Sequence, residues 1–326
     1  MRTLVTGGAG FIGSHLVDAL VEKGHEVTVL DNLTTGKLEN IAHHIEKGNI
    51  TFIKGDIQNT RILNKALKNV DAVMHLAALI SVEESIKKPL LYHQVNVTGT
   101  LKLLKTAAIN KVKHIIFASS AAVYGEPIEL PIKESHPLNP LSPYAATKIA
   151  AENYLKTYNH IHGITTTILR IFNAYGPRQT ISQYAGVITK FINNALTGKP
   201  LIIYGDGTQT RDFIYVKDVA KAFIAAFEAK RSGTYNIATG KPTTINQLAQ
   251  LIKQLTKSPS SIIHTKPRKG DIKHSHADTT KAQQELEFKA KTSLKEGLKQ
   301  TIKQPNIRKL NINNIHLPNH SNVAKT

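Results

Sequence analysis

Short apolar runs and helical segments alternate along the first half of the chain. The runs Thr3–Thr6, Glu26–Leu30, Thr51–Ile53, Ala72–Leu76 and His114–Ala118 read as strands. Most are followed by a stretch whose apolar positions recur every three to four residues, such as Phe11–Lys23 and Pro89–Ile109. A further helix is predicted from Pro143, where proline suits a first helical turn, to about Tyr158, leading into a strand over Thr165–Arg170. Strand, helix, strand in this order predicts parallel strands joined by right-handed crossovers, hence an α/β fold with a Rossmann-type doubly wound sheet.

The pattern changes after Asn173. Loop-rich segments (NAYGPRQ, YGDGTQTRD, ATGKPTT, PRKGD) separate short strands and helices, as in a smaller lobe that supplies ligand contacts. The expected division is a dinucleotide-binding part over 1–173 and a smaller C-terminal lobe over 174–303, some segments of which return to the main part. A polar, Asn-rich tail without amphipathic period follows over 304–326 and is expected to be disordered.

Composition narrows the chemistry. With 326 residues, 41% of them hydrophobic, the chain can bury a large core. No apolar stretch approaches the roughly 20 residues of a membrane helix, and the opening MRTLVTGGAG enters a strand and a glycine loop directly, so a cytoplasmic, membrane-free protein is expected. The absence of cysteine removes disulfides, thiolate nucleophiles and Cys-ligated metals. The 42 Lys and Arg against 23 Asp and Glu give a net charge of +19, which favours polyanionic partners. No basic run is interleaved with aromatics in the manner of a strand-tracking groove, so a lysine-rich surface is expected, without a nucleic-acid partner. The histidines show no helical metal spacing backed by carboxylates, and no metal is expected.

A dinucleotide site is indicated near the N-terminus. Gly7, Gly10 and Gly13 lie between the first strand and the first helix, where backbone amides and the helix start, including Phe11 and Ile12, can face a pyrophosphate. Asp31, followed by Asn32, ends the second strand at about the 20-residue offset expected of a carboxylate that accepts hydrogen bonds from ribose hydroxyls. A carboxylate there repels a 2′-phosphate, so the expected cofactor is NAD rather than NADP.

A reaction site is indicated further on. Ser119 and Ser120 end a strand, and Tyr144 and Lys148 are four residues apart, on one face of the next helix. A free phenol titrates near about 10, so a Tyr base working near neutrality needs a positive charge beside it, which Lys148 can supply. Alone, a Tyr-x-x-x-Lys pair says little; it gains meaning after a serine-bearing strand end, because ligands bind at strand C-termini in such sheets. In the second half, Arg211 and Arg268 lie on loops and could each grip a diphosphate bidentately.

The segments TGGAGFIG, DN, GDI (Gly55–Ile57), HLAA (His75–Ala78) and VNVTGT (Val95–Thr100) resemble those of the extended short-chain dehydrogenase/reductases, from Arg2 to about Ile302. The resemblance implies that Asp56 and Ile57 contact the adenine, that Leu76, Ala77 and Ala78 flank the dinucleotide, that Asn96 joins the cofactor contacts and that Phe172 sits near the nicotinamide. It makes Ser120, Tyr144 and Lys148 catalytic. It also implies a nucleotide-sugar site in which Asn173 binds the diphosphate with Arg211 and Arg268, Asp271 holds the uridine ribose and Tyr204 packs on the uracil. Dehydratases of the family carry an Asp–Glu pair after the catalytic Ser or Thr, and decarboxylases a Glu, whereas this chain has Ala121 and Ala122. The implied activity is therefore epimerisation at carbon 4 of a UDP-hexose, UDP-glucose or UDP-galactose and their N-acetyl forms, with NAD as a recycled hydride store.

Epimerases of UDP-glucuronate or GDP-sugars on the same scaffold are the nearest alternatives. A non-catalytic dinucleotide sensor or RNA-binding relative would explain the charge, but such relatives lose the Ser/Tyr/Lys set. Apolar residues on more than one face of Pro89–Ile109 and Pro143–Tyr158 fit the four-helix interface that the family uses, so a homodimer is expected. Ser275 stands where epimerases restricted to plain hexoses often hold Tyr, and is expected to leave room for an acetamido group.

Overall fold

Strands covered on both faces carry runs of apolar residues, as the segments LV, VTVL, AVM and IIFA of the first half do. In a computed structural model, which describes residues 1–179, 186–268 and 270–303, they form one parallel sheet of seven strands. The strands are β1 (Arg2–Thr6), β2 (Glu26–Asp31), β3 (Ile50–Lys54), β4 (Ala72–His75), β5 (His114–Ser120), β6 (Thr165–Ile171) and, from the second half, β10 (Gly233–Ile237). Their order, β10-β6-β5-β4-β1-β2-β3, reverses direction between β1 and β4, and there the carboxyl ends open a crevice. The tail over 304–326 lies outside the described residues.

Successive residues of a strand point to opposite faces, and the two faces fill two cores. Val5, Val29, Met74, Ile116 and Leu169 pack on α1 (Phe11–Glu22) and α9 (Val216–Ala229). Leu4, Leu30, Val73, Ile115 and Ile168 pack with residues of α3 (Thr60–Ala66), α6 (Gly99–Ile109) and α7 (Pro143–His162). Between β2 and β3 lies the short α2 (Ala42–Glu46), and after β4 come α4 (Val82–Lys87) and α5 (Pro89–Tyr92).

Two helices differ from their sequence reading. The expected helix over Pro89–Ile109 contains a π-helical stretch, His93–Thr98, between α5 and α6. The apolar period carries no mark of it, because the chain stays helical throughout. Helix α7 runs one turn past Tyr158, to His162, where Gly163 closes it in the left-handed conformation.

The second half supplies two small sheets: β11 (Pro242–Thr244) with β9 (Thr210–Tyr215) and β7 (Asn173–Tyr175), and β12 (Ile262–Thr265) with β8 (Leu201–Tyr204). A third core gathers Ile192, Ile203, Phe213, Leu248 and Leu298 from these sheets and from α8 (Val187–Leu196), α10 (Ile245–Thr256) and α12 (Leu294–Ile302). The half also reinforces the main sheet: β10 extends it beside β6, and α11 (Thr280–Leu286) packs on β10.

Candidate active site

A cleft of about 1010 Å³ runs across the carboxyl ends of the central strands and between the two halves. Its lining includes Gly7, Gly10, Phe11, Ile12, Gly13, Asp31, Asn32, Asp56, Ile57, Leu76, Ala77 and Ala78 on one side. Ser120, Tyr144, Lys148 and Phe172 lie in the middle, and Asn173, Tyr204, Arg211, Arg268 and Asp271 on the other side.

The glycine loop is built for close approach. Gly7 has φ +73°, and a Cβ there would meet the Ala77 amide nitrogen at 2.8 Å. A Cβ on Gly13 would collide with the Gly7 carbonyl. Gly10 starts α1 without a side-chain cap, so the first-turn amides of the helix are left for an anion in the cleft. Asp31, 7% exposed, accepts from the Ala9 amide at 3.0 Å and the Leu33 amide at 2.8 Å. Burial raises its carboxyl above the usual range, and those two amides pull it back. Asn32 donates to Asp56 at 2.8 Å, joining the ends of β2 and β3 into one wall. A glycine cradle, an open helix start and a buried carboxylate at the next strand end fit the pyrophosphate and adenosine ribose of a dinucleotide.

The candidate reaction centre lies where β5 meets α7. The Ser120 hydroxyl accepts from the Ala122 amide at 3.2 Å, which fixes the turn Ala121–Tyr124. Burial pushes the Tyr144 phenol above its usual range, and the Ser120 hydroxyl acts in the opposite sense. Lys148, 3% exposed, donates to the Ala118 carbonyl at 2.8 Å, and its ammonium lies 5.9 Å from the Tyr144 ring centre. Its pKa is lowered to about 8, mainly by burial, against which Glu152 raises it. Among the described residues, the carboxylates that line the cleft are Asp31, Asp56, Glu83 and Asp271; none is in the turn that follows Ser120.

On the far wall, Arg211 donates to the Thr210 carbonyl at 2.8 Å and to Asp271 at 2.7 Å. The Arg268 guanidinium stacks 3.9 Å above the Tyr204 ring and lies 3.8 Å from Glu83 of α4, so it covers the ring expected to receive a base. The Asn173 amide donates to the Asp212 carbonyl at 3.2 Å.

Two expected contacts fall elsewhere. Asn96 does not line the cleft; it is buried behind the wall, accepting from the Leu79 amide at 2.8 Å and donating to the Leu79 carbonyl at 2.9 Å and to Thr147 at 3.1 Å. It thereby holds the Leu76–Leu79 loop to α7. Ser275 does not line the cleft either: its amide donates to the Thr210 carbonyl, and bridges at His274 and Ala277 hold the segment against its neighbours. A motif likeness locates that segment but not the side chain that faces inward.

Three features escaped the sequence reading. Asp212, fully buried, accepts from Thr239 through its amide at 2.9 Å and its hydroxyl at 2.6 Å, from the Gly240 amide at 2.8 Å and from the Ala277 amide at 3.3 Å, fastening the Thr239–Gly240 loop and the Ala277 segment to β9. Glu152 is buried one turn beyond Lys148. Asp18, His43 and His44 converge with ligand atoms within 4.8 Å of one another, away from the cleft lining, and Arg178 already pairs with Asp18 at 2.8 Å. The contacts that give these groups their places cross long stretches of sequence, so no short motif announces them.

Fold and cleft together define an α/β protein of the dinucleotide-binding enzyme class, with Ser120, Tyr144 and Lys148 grouped beside the crevice. The chain belongs to the extended short-chain dehydrogenase/reductase family: the family model described as GDP-mannose 4,6 dehydratase matches residues 4–301. A UDP-glucose 4-epimerase of Mycolicibacterium smegmatis is 38% identical over 93% of this chain and 97% of that protein. The solved UDP-N-acetylglucosamine 4-epimerase from Methanobrevibacter ruminantium, in complex with UDP-N-acetylmuramic acid, is 46% identical, covers 93% of this chain and 97% of its own, and superposes with a TM-score of 0.89. The Thermus thermophilus UDP-glucose 4-epimerase, solved with NAD, is 37% identical over 94% of this chain and 99% of its own, with a TM-score of 0.86. Among the described residues, no helix is long and apolar enough to cross a membrane.

Proposed function

We propose that this protein is a cytoplasmic, NAD-dependent epimerase acting at carbon 4 of UDP-hexoses. The observation that carries the reading is a buried Tyr144–Lys148 pair beside Ser120, at the strand ends of a dinucleotide crevice, with no carboxylate in the turn after Ser120. Bound NAD supplies a hydride acceptor that is regenerated within each turnover. The protein's own groups manage the proton and the sugar. Tyr144 takes the proton of the 4-hydroxyl, the positive charges of Lys148 and of the oxidised nicotinamide favouring its phenolate form against the effect of burial, and Ser120 orients that hydroxyl. The carbon gives up its hydride and becomes a ketone; the sugar turns over in the cleft; hydride returns to the other face and Tyr144 gives the proton back. Arg211, Arg268 and Asn173 would keep the diphosphate anchored during the turn, exchanging the contacts they now make with Asp271, Glu83 and the Asp212 carbonyl for phosphate oxygens.

Similarity to epimerases named for UDP-glucose and for UDP-N-acetylglucosamine supports a substrate range that includes acetamido sugars. The test is incubation of purified protein with UDP-glucose and, separately, UDP-N-acetylglucosamine, followed by chromatographic separation of the epimers. The reading expects the galacto epimer from each; recovery of both sugars unchanged with NAD present overturns it.

We also propose a homodimer through α4 to α7. Ile86, Leu90, Ile109 and Ile161, each more than 60% exposed, lie on these helices, and apolar groups of that size favour burial against a second copy. Light scattering at micromolar protein should give twice the 35.8 kDa chain mass.

A further inference from the structure

We propose that Glu152, which does not itself line the cleft, is a positioning residue of this reaction: it locks the carboxyl ends of β5 and β6 against α7 and sets a negative charge one helical turn from Lys148. The inference rests on the catalytic reading of Tyr144 and Lys148. Glu152 has no exposed surface and lies one helical turn beyond Lys148, on the same face. One of its oxygens accepts from the Ser119 hydroxyl at 2.5 Å and from Arg170 Nε at 3.0 Å; the other accepts from Arg170 Nη2 at 2.7 Å. Ser119 precedes Ser120, and Arg170 precedes the Ile171–Asn173 stretch that lines the cleft. A single carboxylate thus fixes three pieces of the reaction centre.

A fully buried carboxylate needs its charge matched, and Arg170 matches it with two parallel hydrogen bonds. Arg170 is held in turn by the Tyr124 hydroxyl and the Glu134 carbonyl, each at 3.0 Å. The titratable and charged groups around the two centres are Tyr144 and Lys148 on α7, His75 on β4, Arg170 on β6, and Tyr124 and Glu134 from the segment between β5 and α7. His75 is buried between the hydroxyls of Thr6 and Thr100, with its pKa lowered to about 3, and so is neutral. Of this set, Glu152 is the group that favours the ammonium of Lys148, while burial drives it toward the neutral amine. Tyr144 needs that ammonium to act as a base near neutral pH.

Removing the carboxylate charge takes away the attraction that favours the ammonium and so lowers the pKa of Lys148; it also leaves the Arg170 cation unmatched, which the double variant avoids. The experiment compares wild type, Glu152→Asp, Glu152→Gln and the double variant Glu152→Gln/Arg170→Met, which deletes both charges and so avoids an unpaired buried cation. With ¹³C-labelled lysine, the ε-carbon resonance of Lys148, assigned by its loss in Lys148→Met, is titrated by NMR. The alkaline limb of kcat/KM for UDP-glucose is measured alongside. A midpoint and a limb lowered by about one pH unit in Glu152→Gln and in the double variant, and kept in Glu152→Asp, are the expected result. Where Glu152→Gln alone yields no folded protein, the double variant carries the test. An unchanged Lys148 midpoint in the folded variants overturns the inference. Absence of epimerisation by wild type instead overturns the functional reading and leaves the NMR result standing by itself.

Discussion

The two walls of the cleft are assembled by different means. On the cofactor side, each functional group stands at a position dictated by its immediate neighbours: a glycine turn, the last residue of a strand, two side chains one helical turn apart. On the substrate side, groups distant in sequence hold one another. Arg211 pairs with Asp271, sixty residues on, and Asp212 gathers amides from Thr239, Gly240 and Ala277. Local construction leaves a mark in short stretches of sequence, and long-range construction does not. The contrast also suits the chemistry. A cofactor that stays bound needs a fixed cradle, whereas a sugar that must turn over needs a wall that can trade one set of partners for another.

The largest effect should come from the cofactor side. Tyr144→Phe removes the proton acceptor and should lower turnover by about 10²–10⁴-fold with little change in NAD affinity. A steady-state assay checks it, and retention of more than a hundredth of wild-type turnover would remove the role. Asp212→Asn should separate the walls. Asn can still serve Thr239 through its carbonyl, but its amide meets the Gly240 and Ala277 amides donor to donor, at a cost of about 2–4 kcal/mol. UDP-sugar binding should then weaken while NAD binding, read by calorimetry, persists; equal loss of both would mean that the walls fold as one unit.

Acid should act on the cofactor side. His75, His15 and His114 are buried with pKa values lowered to about 3, 4 and 4, below the ordinary 6.5. Each is neutral in the folded state and binds a proton only on unfolding. Their contribution is therefore complete above pH 6.5 and is lost as pH falls from there toward 4, at about 1.4 kcal/mol per pH unit per histidine. Denaturant titrations at pH 7 and pH 5 should show this loss, and a flat profile across that window would contradict it. The smallest effect concerns Asp31. Its carboxylate is shared between the turn amides of Ala9 and Leu33 and the cleft, so Asp31→Ala should weaken NAD binding by about tenfold rather than abolish it. Calorimetry giving wild-type affinity would restrict Asp31 to shaping the turn.

The same division explains what could be read from the chain. The strand runs form the central sheet, and the glycine loop, Asp31, Ser120 and the Tyr144–Lys148 pair lie on the cleft at its carboxyl edge. The π-helical turn at His93–Thr98 was invisible because it preserves helical character, and Asn96 within it faces Leu79 rather than the cofactor side of the wall. Glu152 looks in sequence like one more charged helix residue; only its contact with Arg170, eighteen residues on, shows why it is buried. Ser275 stands outside the cleft lining, in a segment that backbone bridges, which no side-chain pattern records, hold against β9 and the Ile132 region.

The central claim is that carbon 4 loses and regains the same hydrogen within one closed site. The direct measurement uses UDP-glucose carrying deuterium at carbon 4, converted by the purified protein with NAD in ordinary water, with the label located by NMR in the separated UDP-galactose. Hydride storage and return predict that the deuterium remains on carbon 4 of the product, and replacement of the label by solvent hydrogen would contradict the account.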